Sequence, residues 1–232
     1  MNSTTLPDAA YLPVGNIERR TPLSPGSIGA PGCISSVCGT LLDIGAPKAA
    51  DVINEDVINA MLHTNRFGGR GKTKSNLLQH SLLVAEMVPY DLRGIALLHD
   101  AHEVYLGEIP SPANAVIKAR AGFDVLGQIK MDLDKAIFAS FGVTPPACDR
   151  DVHWIKAADA EALRLERAFC EIGPGVNFHC GPEKITTKER ALVEYIFNMS
   201  RDELVTTFLS SMQEYNEGRA SRDRRKAGEV SA

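Results

Sequence analysis

From Ala50 onward, apolar residues return every third or fourth position, the period of helices with one face turned inward. Residues 51–63 carry Val52, Ile53, Val57, Ile58, Met61 and Leu62 on such a stripe. Further helices are expected over 77–88, 91–106, 113–121, 125–141 and 152–172, with breaks at Ile109-Pro110-Ser111-Pro112 and between Gly142 and Pro146. In the last of these, Ile155, Ala158, Ala162, Leu165 and Phe169 share the inward face. Thr186 with Glu189, and Ser200 with Glu203, have the spacing of capping boxes, so two more helices are expected over 187–199 and 201–216. Residues 1–50 are rich in Gly and Pro without a sustained period, which predicts an irregular arm with one short strand near Thr40–Ile44. The end from Gly218, with Arg222, Arg224, Arg225 and Lys226, predicts a disordered tail over 218–232. Strand-like alternation is almost absent, so the pattern predicts one all-α domain, a helical bundle over 51–217, between arm and tail.

Polar residues interrupt the apolar stripes at a few places. His80 has Leu77, Leu83 and Val84 at helical neighbour spacings; Asp100 has Ala96, Leu97 and Val104; Asp159 has Ile155, Ala162 and Leu163. A ring nitrogen or carboxylate facing a core is costly without a partner. One case is usually a satisfied core residue, but three helices each aiming such a group inward suggest a shared partner. With His99 beside Asp100, the set is two imidazoles and two carboxylates, a ligand set suited to Mn²⁺, Fe²⁺, Co²⁺ or Zn²⁺ better than Ca²⁺. A structural ion-pair network is the alternative. Four protein ligands leave positions for a water and a substrate oxygen, the arrangement of a metal-dependent hydrolase. Glu103, four residues after His99 and three after Asp100, falls on the same helical face and is the candidate general acid/base. His102 is either a support for these groups or a surface residue.

The loop before His80 is basic and punctuated by glycine, with Arg66, Phe67, Arg70, Lys72 and Lys74. Its guanidinium and ammonium groups suit phosphate oxygens, and Phe67 offers a base or sugar a surface. Gly71-Lys72-Thr73 imitates a P-loop, but that motif needs a glycine where Arg66 stands, and no buried strand precedes it. HExxH, G-x-S-x-G and a dinucleotide-binding glycine fingerprint are absent from the sequence.

Composition narrows the class without adding to it. A chain of 232 residues, 44% hydrophobic and 23% charged, is ordinary for a globular protein. The net charge of −4 supplies no global attraction to nucleic acid. No apolar run reaches membrane-spanning length, and the first residues lack the features of a signal peptide, so a cytoplasmic protein is expected, with neither nucleic acid nor membrane as partner. The cysteines, Cys33, Cys38, Cys148, Cys170 and Cys180, are odd in number and lack paired short spacings; scattered free thiols are expected rather than a zinc site.

These residues resemble the HD-domain phosphohydrolase superfamily. The likeness is carried by Asn65-Arg66-Phe67-Gly68-Gly69, Gln79-His80-Ser81-Leu82, the run from Ala96 through His99-Asp100 to Pro112, and Ile155-Lys156-Ala157-Ala158-Asp159. It covers roughly residues 40–172 and is nearest to the branch of bacterial five-prime-deoxynucleotidases and small phage-type nucleotide hydrolases, some of them similar to dATP triphosphohydrolases. The resemblance implies a helical fold, one metal on His80, His99, Asp100 and Asp159, Glu103 in catalysis, and Arg66 near the phosphate. It also implies a substrate role for Glu108, where the family often has Asp. Phe67 replaces a tryptophan that helps select deoxyribose, and Asn114 stands where a lysine often follows the Pro-x-Pro turn.

The expected function is therefore metal-dependent hydrolysis of a small-molecule deoxynucleotide by a homo-oligomer. The first reading is a dNTP triphosphohydrolase, in which the basic loop spans several phosphates and Mg²⁺ accompanies the substrate. A nucleotidase acting on dNMP is the alternative. A nucleotide-binding regulator without turnover is a second alternative, and a phosphodiesterase of cyclic or alarmone nucleotides has no motif of its own here.

Overall fold

A computed structural model describes residues 32–36, 39–171 and 185–226. The fold is all-α apart from one small hairpin, in which β1 (Cys33–Ser35) pairs antiparallel with β2 (Leu41–Asp43). The strand expected near Thr40–Ile44 is β2; its partner β1 carried no periodic signal. Most of the expected irregular arm, Cys38, Cys180 and residues 227–232 lie outside the described residues.

The helices are α1 (Asn54–His63), α2 (Leu77–Ala85), α3 (Arg93–Leu98), α4 (Glu103–Leu106), α5 (Ser111–Ala121), α6 (Val125–Ser140), α7 (Asp149–Phe169), α8 (Thr187–Phe197) and α9 (Arg201–Lys226). At the centre lies α2, every residue of which is buried. It packs against α1, α3, α7, α8 and α9. Burying one large apolar side chain contributes roughly 1.5–3 kcal/mol, so α2, with Leu77, Leu78, Leu82, Leu83 and Val84, anchors the core. Its start is fixed by a capping box in which Asn76 and Gln79 each accept the other's backbone N–H. The boxes at Thr186 and Ser200 also form, and α8 and α9 begin where they predict.

Two departures from the expected elements bear on the site. The helix expected over 91–106 is broken: residues 99–102 form turns, with Ala101 N–H bonding Leu98 O and Glu103 N–H bonding Asp100 O. These three-residue steps tighten the chain between α3 and α4. The tail expected to be disordered from Gly218 is instead helical as far as Lys226. A tertiary anchor lies past Gly218, where Arg219 donates to Thr144 Oγ1, and two more lie just before it, where Tyr90 Oη donates to Glu214 O and Asn216 to Phe141 O. None of these partners is near in sequence, so composition alone could not reveal them.

Candidate metal centre

His80 sits in the middle of α2 with no exposed surface. His99 caps the end of α3, Asp100 follows in the tight turn, and Asp159 lies on α7. The structure brings the ligating atoms of all four within 4.8 Å of one another. His80 Nε2 is 3.2 Å from Asp159 Oδ1, 3.3 Å from His99 Nε2 and 3.7 Å from Asp100 Oδ2. His99 Nε2 is 3.3 Å from Asp100 Oδ2 and 3.8 Å from Asp159 Oδ1.

The other ring nitrogens are committed elsewhere, which decides what these atoms can do. His99 Nδ1–H donates to Ala96 O at 2.8 Å, and His80 Nδ1–H donates to Glu166 Oε2 at 3.1 Å. Carbonyl and carboxylate oxygens only accept, so both Nδ1 atoms carry protons and both Nε2 atoms turn toward the cluster. Were both rings neutral, their Nε2 lone pairs would face each other unsatisfied; a positive charge between them, proton or metal ion, satisfies both. The field demands positive charge in the same place. Burial drives the His99 pKa down, but Asp100 and Asp159 overcome it and hold the ring well above the ordinary imidazole range. For Asp159, burial is overcome by the bonds from His80 and His99, which hold its carboxyl below the usual range. The four residues together could hold a metal ion, as the sequence predicts.

Arg66 reaches this cluster from the loop before α2. An antiparallel bridge between Asn65 and Asn76, with Arg66 N–H on Ser75 O and Leu77 N–H on Thr64 O, closes the loop at its base. The buried guanidinium lies 3.8 Å from Asp100, 3.9 Å from Glu103 and Glu108, and 3.4 Å from Glu166. Glu103 is 6% exposed, and its Oε2 has no hydrogen-bond partner. Burial first, and the Asp100 charge second, push its pKa up to about 7, the range in which a carboxyl can both take and give a proton.

The remaining predicted contacts divide. Phe67 and Gly68 adopt consecutive left-handed conformations, at φ 58° and 59°, and aim their N–H groups at the Glu108 carboxylate at 2.9 and 2.7 Å. The left-handed state costs a residue like Phe67 roughly 1–2 kcal/mol, which these charge-assisted bonds offset. Glu108 thus holds the Arg66 loop. The ring of Phe67 lies 5.6 Å from the Arg66 guanidinium. Lys72 is exposed and paired with Glu171, and exposed Arg70 bonds Phe67 O at 3.5 Å, so the structure does not bring these two predicted phosphate contacts to the cluster.

Sequence reasoning missed two carboxylates and a cleft. Glu166 lies seven residues after Asp159, two turns along the same buried face of α7, and that period was its available signal. Asp134 on α6 takes the Nδ1–H of buried His102 at 2.8 Å, which places His102 among the supporting residues. This contact joins distant elements and leaves no local trace. Beside the cluster lies a cleft of about 680 Å³, lined by His99, Asp100 and Asp159, by Asp134, Lys135 and Lys156, and by an apolar wall that includes Phe138, Pro146 and Ile155. Cys33, Cys148 and Cys170 are free thiols, as expected.

No family model matches the chain. It is 33% identical over 142 residues to the uncharacterized protein RCAP_rcc00048 of Rhodobacter capsulatus, an alignment covering 55% of this chain and 67% of that protein. The chain belongs to the same family as that protein. It is also 27% identical over 117 residues to the uncharacterized protein YfdR of Escherichia coli K12, covering 50% of this chain. The match spans only 60% of YfdR.

Proposed function

We propose that this chain is an HD-type, metal-dependent phosphohydrolase of deoxynucleotides. The observation that carries the reading is the meeting of His80, His99, Asp100 and Asp159 around one point with Arg66 against Asp100. A divalent ion held by those four residues would polarise a phosphoryl oxygen and acidify a water. The chain's own groups supply the rest. Glu103, buried beside Asp100 with no hydrogen bond on its Oε2, takes the proton of the attacking water and returns it to the leaving oxygen. Arg66, held in place by Glu166 and the loop anchored on Glu108, meets the negative charge of the phosphate. The apolar wall of the cleft receives the nucleoside, and its volume falls in the range of small-molecule sites. Preference for deoxyribose comes from the family resemblance.

Release of triphosphate from a dNTP is the first reading. The cations supporting it are not the predicted loop residues Arg70 and Lys72 but Lys135 and Lys156, on the same cleft as three of the ligands. Removal of phosphate from a dNMP is the second, favoured by Arg66 being the one loop cation placed against the cluster among the described residues. A panel of deoxynucleotides with Mn²⁺, Co²⁺ and Mg²⁺, resolving phosphate from triphosphate, tests both. Triphosphate as product supports the first, phosphate the second, and neither product from any nucleotide contradicts the proposal.

A further inference from the structure

We propose that Glu166 is a positioning residue shared by the cation site and the anion site, holding His80 toward a metal and Arg66 toward a phosphate at once. This rests on reading the four-residue cluster as a metal centre and extends it to a residue outside the ligand set. Glu166 has no exposed surface, and an ionised carboxylate there is costly unless paired. Its Oε2 is placed between two partners, 3.1 Å from His80 Nδ1 and 3.4 Å from Arg66 Nη2. The first contact fixes the His80 tautomer, so that Nε2 faces His99 and Asp159 with its lone pair. The second holds one guanidinium nitrogen so that the other, Nη1, lies against Asp100 and Glu103. Its place on α7, two turns beyond Asp159, lets one rigid helix carry a ligand and the brace for another ligand. Loss of this carboxylate therefore disturbs two binding events, whereas loss of Arg66 disturbs one.

The test uses the full chain and two probes, Mn²⁺ and then inorganic phosphate added to the Mn²⁺-loaded protein, each followed by titration calorimetry. Glu166→Gln, shown folded by circular dichroism, is expected to bind Mn²⁺ about 10–100-fold more weakly than the unmodified chain, the usual effect of losing an outer partner of a ligating histidine. Arg66→Ala, which removes a cation beside the ligand Asp100, is expected to bind Mn²⁺ no more weakly than the unmodified chain, and both variants to bind phosphate more weakly. Glu166→Asp keeps the charge but withdraws the carboxylate by one methylene, and serves if the glutamine variant does not fold. Unaltered Mn²⁺ affinity in a folded Glu166 variant overturns the proposal. Weakened Mn²⁺ binding with unaltered phosphate binding overturns the shared role. An unmodified chain that binds no Mn²⁺ would instead defeat the metal reading itself.

Discussion

Asp100, Glu103, Glu108 and Glu166 all lie within 4 Å of the Arg66 guanidinium, and Asp159 completes the negative surroundings of His80. One guanidinium cannot balance so many carboxylates. Burial drives the Arg66 pKa down, but Glu166 and the other carboxylates overcome it and hold it above its ordinary value, so it stays charged. Two outcomes follow at this scale. Glu103→Gln keeps the size and the metal ligands but cannot exchange a proton; turnover is expected to fall by about 10²–10⁴-fold with metal content unchanged. Elemental analysis beside a product assay checks it, and full turnover in the variant would remove Glu103 from the chemistry. Arg66→Ala should raise the Michaelis constant or lower turnover on phosphorylated substrates, and unchanged kinetics would show that the loop is not a phosphate site. Individual residues were legible in the sequence where an apolar stripe was interrupted: His80, Asp100 and Asp159 each broke such a stripe, and Glu103 followed from spacing. Glu166 breaks one too, but lies outside the motif to which the others belong. For Arg70 and Lys72 the sequence shows the charge of a basic loop but not where the loop folds.

Elements were predicted well in kind and less well in extent. Periodicity located the helices around α1, α2, α6 and α7, since an amphipathic stripe is the physical requirement for burying one face. It could not show that residues 99–102 tighten into turns, because the apolar stripe runs on through the break. It could not extend α9 past Gly218 either, since Arg219 there is held by Thr144, distant in sequence. Close approach between elements gives a test here. A Cβ on Gly94 of α3 would lie 2.5 Å from the Tyr215 ring of α9, and both positions are buried. Gly94→Ala is therefore expected to destabilise the fold by about 1–3 kcal/mol in urea unfolding, despite the better helix propensity of alanine. A neutral or stabilising result would show that α3 and α9 are not held at this distance.

At the scale of the whole chain, the buried core extends from Leu42 to Tyr215, and the cluster sits where α2, α3 and α7 meet within it. No helix among the described residues is long and apolar enough to cross a membrane. An ion at that junction ties three helices together, so loading should stabilise the folded state as a whole. At a free Mn²⁺ concentration about a hundred times its dissociation constant, linkage gives about 2.7 kcal/mol, a rise in melting temperature of roughly 5–10 °C for a chain of this size. Calorimetric melts with Mn²⁺ and with a chelator check it; superimposable melts would contradict a shared ion. The measurement that tests the account most directly is bound metal per chain, in the unmodified protein and in Asp159→Ala, after loading with Mn²⁺ and removal of free ions. A stoichiometric ion in the first and its loss in a folded second is the result predicted. Equal metal content in the two would contradict the centre on which the proposed chemistry depends.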